Sequence, residues 1–253
     1  MSTDLPQTPA GLLAAAVTED PARPLITYYD DATGERTELS VATVDNWVAK
    51  TANLLVDGCG LVPGDRAVAL LPAHWQTAAV LLGCWAAGMA TSHGAPANSP
   101  QAVDVVFATA GRIDEARAWP AADRYALALA PLAAPLREIP DGFSDYVVDA
   151  RQHGDRFVPY EPVDPDSDAL VGLPRGSLSH QALASAGAER GAVLGLESGS
   201  RLLVVDGPDT PARPLDWLLA PLAAGASVVL CRNADPDKLK ARAEQERITV
   251  TLS

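Results

Sequence analysis

The residues best suited to chemistry lie together in one short stretch, at 172–180. They combine glycines, a guanidinium, hydroxyls and an imidazole, and they are Gly172, Arg175, Gly176, Ser177, Ser179 and His180. Backbone N–H groups of a glycine-rich loop or a helix N-terminus bind anions, and an arginine presents a planar fork of donors to phosphate oxygens. The stretch therefore predicts an anion or nucleotide site.

The same residues also fit a purely structural interpretation. Ser179 stands where a helix would begin, so its hydroxyl can cap that helix while the glycines form a tight turn before it. A serine nucleophile is not indicated, because no G-x-S-x-G elbow is present and neighbouring residues at a helix start do not face each other. The sequence leaves an anion site and a capped turn as alternatives and names no catalytic residue.

The histidines and cysteines do not show the spacing of a metal site. They are scattered along the chain, as His74, His93, His153 and His180 and as Cys59, Cys84 and Cys231. Zinc sites bring such ligands in closely spaced pairs, and an odd number of cysteines in apolar surroundings is typical of buried thiols in a reducing compartment. We expect no metal site and no disulfide.

Composition narrows the class of protein. The 253 residues are 48% hydrophobic, with 19 Lys and Arg against 32 Asp and Glu, so the net charge is -13. Nucleic acid and anionic membrane surfaces both require a positive face, which excludes them as expected partners. The first nine residues carry no basic residue and no long apolar run, so we expect a cytoplasmic protein without a signal peptide or membrane span.

Strands and helices alternate along the sequence. Apolar runs at Arg66–Leu71, Arg201–Val205 and Ser227–Leu230 predict strands buried on both faces of a parallel sheet, and helical periodicity fills the segments between them. Two further runs, at 25–29 and 36–39, predict a hairpin. The pattern indicates an α/β fold with layered parallel sheets and flanking helices.

The domain boundaries are predicted from a proline-rich stretch. Because prolines and loops collect between 131 and 165, we expect a first α/β subdomain at 1–157, a linker at 158–167 and a second subdomain at 168–253. One compact domain is the alternative. Within the second subdomain we expect a strand at 168–171, a loop, and a helix that begins at Ser179.

Two stretches resemble the adenylate-forming, or AMP-binding, superfamily of acyl-CoA synthetases, adenylation domains and luciferases. Residues 64–72, GDRAVALLP, with Ala86-Ala87-Gly88 are similar to its "G-D-x-V-a-l-l-x-P" and "A-G". Residues 215–230 are similar to "L-l-x-P-L-x-x-G-a-x-v-v-l", and residues 248–250 to its "v-T-v" strand. The resemblance covers roughly half the chain and implies the fold of the first part of the superfamily's N-terminal domain.

The departures from the superfamily pattern concern its phosphate loop, "Y-T-S-G-T-T-G-x-P-K-G-V-x-x-S-H". Residues 168–180 read DALVGLPRGSLSH, so the end of the motif is kept, the hydroxyl-rich "T-S-G-T-T" is missing, and Arg175 stands at the lysine position. The later "G-x-T-E" and "T-G-D" segments and the C-terminal catalytic lysine have no counterpart either. The resemblance therefore implies that the chain lacks the groups that hold ATP.

The expected function follows from these departures. We expect a non-catalytic homologue that acts as a binding, regulatory or assembly protein, without a cofactor beyond weak ATP or AMP binding. The alternative is residual nucleotide or acyl binding, or one part of a split acyl-activating, AMP-forming ligase. Because residues 228–252 should expose apolar surface or an open sheet edge, we expect a homodimer or a protein partner through the C-terminal half.

Overall fold

The computed structural model describes residues 6–93, 101–174, 176–207 and 212–252. Its helices are α1 (Pro9–Glu19), α2 (Val41–Asn53), α3 (Trp75–Ala86), α4 (Ile113–Arg117), α5 (Tyr146–Ala150), α6 (His180–Val193), α7 (Ala220–Ala223) and α8 (Pro236–Gln245). Its strands are β1 (Pro24–Asp30), β2 (Glu35–Ser40), β3 (Arg66–Leu70), β4 (Ala90–His93), β5 (Val105–Thr109), β6 (Asp123–Leu127), β7 (Ser144–Asp145), β8 (Asp168–Leu173), β9 (Gly176–Ser179), β10 (Arg201–Asp206), β11 (Ser227–Arg232) and β12 (Val250–Thr251). The alternation confirms the α/β prediction.

The chain divides into two compact units, and each contains one sheet. Unit 1 is Met1–Val44, Pro72–Ala78 and Ala184–Ser253, and unit 2 is Asp45–Leu71 and Ala79–Leu183. The sheet of unit 1 has the order β12-β10-β11-β1-β2, and that of unit 2 has the order β7-β6-β5-β3-β4-β8-β9. The predicted boundary at 158–167 does not coincide with these units, because β8 and β9 follow it in sequence but pair into the sheet of β3–β7.

The sheet of unit 1 joins the two ends of the chain. The predicted hairpin is present as the antiparallel pair β1 and β2, and β1 pairs in parallel with β11, placing Tyr28 beside Leu230. Val228, Val229 and Leu230 are at most 1% exposed. The expected apolar exposure in this segment is therefore wrong for these residues, whereas β12 does form an edge of the sheet.

Hydrogen bonds and ion pairs of charged side chains connect helix α8 and the residue after it to β1 and β2. The Glu246 carboxylate accepts hydrogen bonds from the Tyr29 hydroxyl and from Arg36 Nη2 at 3.0 Å. Arg242 stacks 4.1 Å from the centre of the Tyr29 ring and donates to Asp31 Oδ1 at 2.7 Å. This hydrogen bond lowers the pKa of Asp31 to about 2, so the pair is charged at neutral pH.

In unit 2, α3 approaches α2 at a glycine. A Cβ atom built on Gly83 would lie 2.6 Å from Thr51 Cβ and 2.7 Å from its Cγ2. Thr51 is itself fully buried and its Oγ1 lies 2.7 Å from the Tyr146 hydroxyl. Only a residue without a side chain fits this close approach, so Gly83 sets the distance between the two helices.

No helix among the described residues is both long enough and apolar enough to cross a membrane. Trp75, Trp85 and Trp217 are core residues, because each is at most 3% exposed. Cys84 and Cys231 are buried, Cys59 is partly buried, and all three are free thiols.

Replacing Gly83 by alanine tests the contact between α2 and α3. We expect Gly83→Ala to lower the free energy of unfolding by about 1–3 kcal/mol, because the added methyl group overpacks against Thr51. Gly111→Ala is the matched control, since no atom lies within 4 Å of a Cβ there, and it should change stability by less than about 0.5 kcal/mol. Urea unfolding measures both, and equal stabilities for the two variants would contradict the packing argument.

Replacing Asp31 tests the attachment of α8. The folded-state pKa of Asp31 lies below its ordinary value of 3.8, so its carboxylate stabilises the fold above that value and loses this contribution as the pH falls toward 2. Urea unfolding across this acid range should show a steeper loss of stability for the wild type than for Asp31→Asn. Glu189→Gln, at an exposed position of α6, is the control and should follow the wild type. Parallel curves for all three would show that the ion pair does not stabilise the fold.

Candidate functional site

The stretch that the sequence singled out forms a hairpin followed by a helix. Strand β9 pairs antiparallel with β8, with Leu173 opposite Gly176 and Asp168 opposite Ser179. The loop predicted before Ser179 is therefore wrong, because Leu178 pairs with Leu170 across the ladder and draws this segment into the sheet. The connection between the strands is only two residues long. Its second residue, Arg175, lies outside the described part of the chain.

The turn end of the hairpin holds two of the predicted glycines. Gly172 and Gly176 both have positive φ angles, of 79° and 110°. A Cβ on Gly172 would approach Ser92 Oγ of β4 to 3.0 Å, whereas no atom lies within 4 Å of a Cβ on Gly176. Gly172 therefore permits a close approach of β8 to β4, and Gly176 permits the tight turn.

The hydroxyl groups of the hairpin are already bound within the chain. Ser177 Oγ donates to Asp168 Oδ1 at 2.6 Å, and Ser179 Oγ accepts from the N–H of Ala182 at 3.2 Å. The predicted capping role of Ser179 is thus confirmed. Asp168 is exposed, so a carboxylate lies beside the hydroxyl that the sequence assigned to an anion.

The start of α6 does not offer free N–H groups. The N–H of His180 donates to the Ser167 carbonyl at 3.0 Å, and that of Gln181 donates to the Pro165 carbonyl at 2.8 Å. The next N–H, of Ala182, is held by Ser179. A helix N-terminus attracts anions through its unpaired N–H groups, and here three of them have partners.

His180 lies at the opposite end of the hairpin from the turn. From Gly176 to Ser179, β9 rises by about 10 Å, at about 3.4 Å per residue. The His180 side chain is fully buried, and neither ring nitrogen has a hydrogen-bond partner in the described part of the chain. Burial lowers its pKa to about 4, so the ring is neutral at pH 7. The structure brings Gly172 and Gly176 together but does not bring His180 to them.

A second polar cluster, in unit 1, was not identified from the sequence. Asp206 ends β10, is 8% exposed, and accepts from the N–H of Ala212 at 2.9 Å and from the backbone of Ala73. Burial raises its pKa. Ligands of open α/β sheets bind beyond the carboxyl ends of parallel strands. Asp206, directly after the predicted strand Arg201–Val205, could therefore have indicated this position from the sequence.

His74 and Gln76 follow Ala73, whose backbone bonds to Asp206. His74 Nδ1 accepts from the N–H of Gln76 at 3.1 Å, and the imidazole ring lies 4.4 Å from the Tyr28 ring, centre to centre. His74 and Gln76 are fully buried, and neither His74 Nε2 nor the Gln76 amide has a partner among the described residues. Burial lowers the pKa of His74 to about 3. The imidazole of His74 is therefore neutral at pH 7, and the charge of Arg232 acts on both His74 and Asp206.

Within the described ranges, no three side chains of His, Cys, Asp or Glu come together in a way that could hold a metal ion. Asp168 beside the hairpin instead accepts from a hydroxyl, and Asp206 accepts from backbone N–H groups.

Comparison with known proteins gives matches in sequence and in fold. A family model described as "AMP-binding enzyme" matches residues 13–112. A protein of Mycobacterium tuberculosis, named "TIGR03089 family protein", is 41% identical over 254 residues, which covers 98% of this chain and 99% of the relative.

Among solved structures, two enzymes illustrate the likeness in fold. An acyl-CoA synthetase of Brucella canis is 17% identical, with a TM-score of 0.73, over 96% of this chain and 46% of its own. A benzoate CoA ligase of Burkholderia xenovorans is 16% identical, with a TM-score of 0.69, over 96% of this chain and 49% of its own. The chain spans about half the length of these structures, and at such identities the likeness shows the fold alone.

The order of the motifs, the parallel sheets with flanking helices and these matches agree with one another. The chain therefore belongs to the AMP-binding, adenylate-forming superfamily and, within it, to the same family as the Mycobacterium tuberculosis relative.

Proposed function

We propose that the protein is a non-catalytic member of its superfamily that acts as a binding, regulatory or assembly protein. The observation that supports this proposal is that, in the described part of the hairpin and the first turn of α6, both serine hydroxyl oxygens and three N–H groups have partners within the chain. A triphosphate needs several donors that point at its oxygens. Here the Ser177 hydroxyl donates to Asp168, and the first N–H groups of α6 donate to Ser167, Pro165 and Ser179 within the chain.

The charge beside the hairpin supports the same proposal. Asp168 is exposed and accepts from Ser177, so a phosphate near that hydroxyl would meet a carboxylate of like charge. Like charges at contact distance repel each other. Phosphoryl-transfer chemistry depends on positioning and charge stabilisation, and this hairpin supplies little of either.

The names and lengths of the matched proteins also bear on the function. The names of the solved structures describe acyl-CoA synthesis and benzoate activation by chains of about twice this length. The relative from Mycobacterium tuberculosis is matched over 99% of its length, and its name gives no activity. Two hypotheses compete with this proposal: residual nucleotide or acyl binding, and one part of a split ligase. Pyrophosphate exchange and calorimetry distinguish both from the proposed function.

Assembly through the C-terminal half is the second element of the proposal. Strand β12 lies at the edge of its sheet and, among the residues that the structure describes, pairs with β10 at two positions, Val250 with Leu202 and Thr251 with Leu203. Edge strands present unpaired backbone groups to other chains. We therefore propose that a second copy or a protein partner covers this edge.

Pyrophosphate exchange tests the absence of adenylation. With ATP, Mg²⁺ and a panel of carboxylic acids, we expect no exchange above the protein-free background, because the groups that would hold the phosphates are engaged elsewhere. Calorimetry with ATP and AMP at millimolar concentration should give no heat of binding. A full-length acyl-CoA synthetase serves as the positive control. Exchange that disappears in Arg175→Ala would overturn the proposal and favour the ligase.

Sedimentation tests the assembly. We expect the chain to sediment at tens of micromolar as a dimer, and Thr251→Lys to reduce the dimer fraction at least about threefold, because an edge lysine opposes strand pairing. Glu244→Lys, which adds the same charge to an exposed position of α8, is the control and should leave the dimer intact. A monodisperse monomer that also captures no partner would contradict this part of the proposal.

A further inference from the structure

A pocket in unit 2 shares no residue with the hairpin of β8 and β9. Its volume is about 380 Å³, and it opens between the chain that follows α2 and the extended segment 157–161. Pockets of about 300–1,000 Å³ with apolar walls and a few polar groups are typical small-molecule sites. None of its residues belongs to the groups on which the proposed function rests.

The floor and walls of the pocket are apolar. Val56, Leu61, Pro63 and Ala87 line it, and Leu61 and Ala87 are buried, at 9% and 4% exposure. These side chains come from three successive segments: the π-helical turn at 54–58, the turn that follows it, and the end of α3. They provide surface for alkyl groups but no hydrogen-bond donor.

Two aromatic rings line the same pocket. Phe157 and Tyr160 both contribute, and Tyr160 is 85% exposed although it lies beside an apolar surface. Its hydroxyl donates to Asp57 Oδ1 at 3.1 Å, and this hydrogen bond raises the pKa of Tyr160. The carboxylate of Asp57 therefore anchors the ring at the pocket while leaving most of it open to solvent.

The polar groups at the pocket are acidic. Glu161 lines it, Asp57 lies beside Tyr160, and both carboxylates are exposed. None of the residues that line the pocket in the described part of the chain is basic. With a net charge of -13 for the whole chain, the pocket repels anions and attracts cations.

We propose that this pocket binds an alkylated ammonium group. The rings of Phe157 and Tyr160 attract a cation through their π faces, the carboxylate of Glu161 stabilises its charge, and the apolar floor accepts its alkyl groups. A primary ammonium on an aliphatic stem and a quaternary ammonium share this chemistry. Its source is either a free small amine or the lysine side chain of a partner polypeptide, and the binding experiment distinguishes the two.

Three probes of nearly equal shape test the charge requirement. They are choline, its neutral isostere 3,3-dimethylbutan-1-ol, and the anion 3,3-dimethylbutanoate. In a titration of the full chain followed by ¹H–¹⁵N NMR, choline should give saturable shifts at 56–63 and 157–161, with a Kd at least about fivefold lower than that of the alcohol. The anion should give none. A lysine-containing peptide that binds more tightly than choline identifies a polypeptide source, and weaker binding identifies a free amine.

Two variants test the groups assigned to binding. Tyr160→Leu keeps an apolar side chain but removes the ring, and Glu161→Gln keeps the shape but removes the charge. Each should weaken choline binding about threefold or more, while Glu161→Gln should leave binding of the neutral alcohol unchanged. Glu197→Gln, an exposed acid of unit 1, is the control and should have no effect.

The proposal would be overturned by any of three results: no saturable shift with choline, equal affinity for choline and the alcohol, or unchanged affinity in both pocket variants. Because Tyr160 and Glu161 are exposed, neither substitution should disturb folding, and thermal unfolding checks this. The outcome is separate from that of pyrophosphate exchange, since the two experiments measure different ligands at different residues.

Discussion

The short connection between β8 and β9 is the constraint on which the functional interpretation depends. Once Leu173 and Gly176 pair across a two-residue turn, the backbone that a phosphate loop would leave free belongs to a sheet ladder. Its serine hydroxyls then find partners on the neighbouring strand and helix. A loop that surrounds phosphates needs unpaired N–H groups, and those groups cannot serve a ladder and a ligand at the same time.

The local elements of this fold could be predicted from the sequence because their signals are local. Thr8 caps α1 by accepting from the N–H of Gly11 at 3.0 Å, and the apolar runs at β3, β10 and β11 mark buried strands. The pairing of β1 with β11 joins residues about two hundred positions apart. No periodicity within either segment encodes such a partner, so the division of the chain into units was not predictable from a proline-rich stretch.

The residue types of the candidate site could be predicted from the sequence, but their arrangement in space could not. Close spacing in sequence suggested that Gly172 and His180 could act together, yet an extended strand carries residues apart by about 3.4 Å each. The same spacing on a loop would have allowed them to meet. Leu178 favours a strand over a loop, because an apolar residue between two serines matches the alternation of a half-buried strand. In the structure it pairs opposite Leu170.

The polar cluster of unit 1 brings buried polar side chains together apart from the hairpin of β8 and β9. A buried polar group without a partner costs about 1–3 kcal/mol, and Gln76 and His74 both carry such groups in the described part of the chain. A core built only for stability would place apolar side chains there. Asp206 stands at the carboxyl end of β10 and accepts from backbone N–H groups of the same unit, so these polar groups lie where open α/β sheets bind ligands.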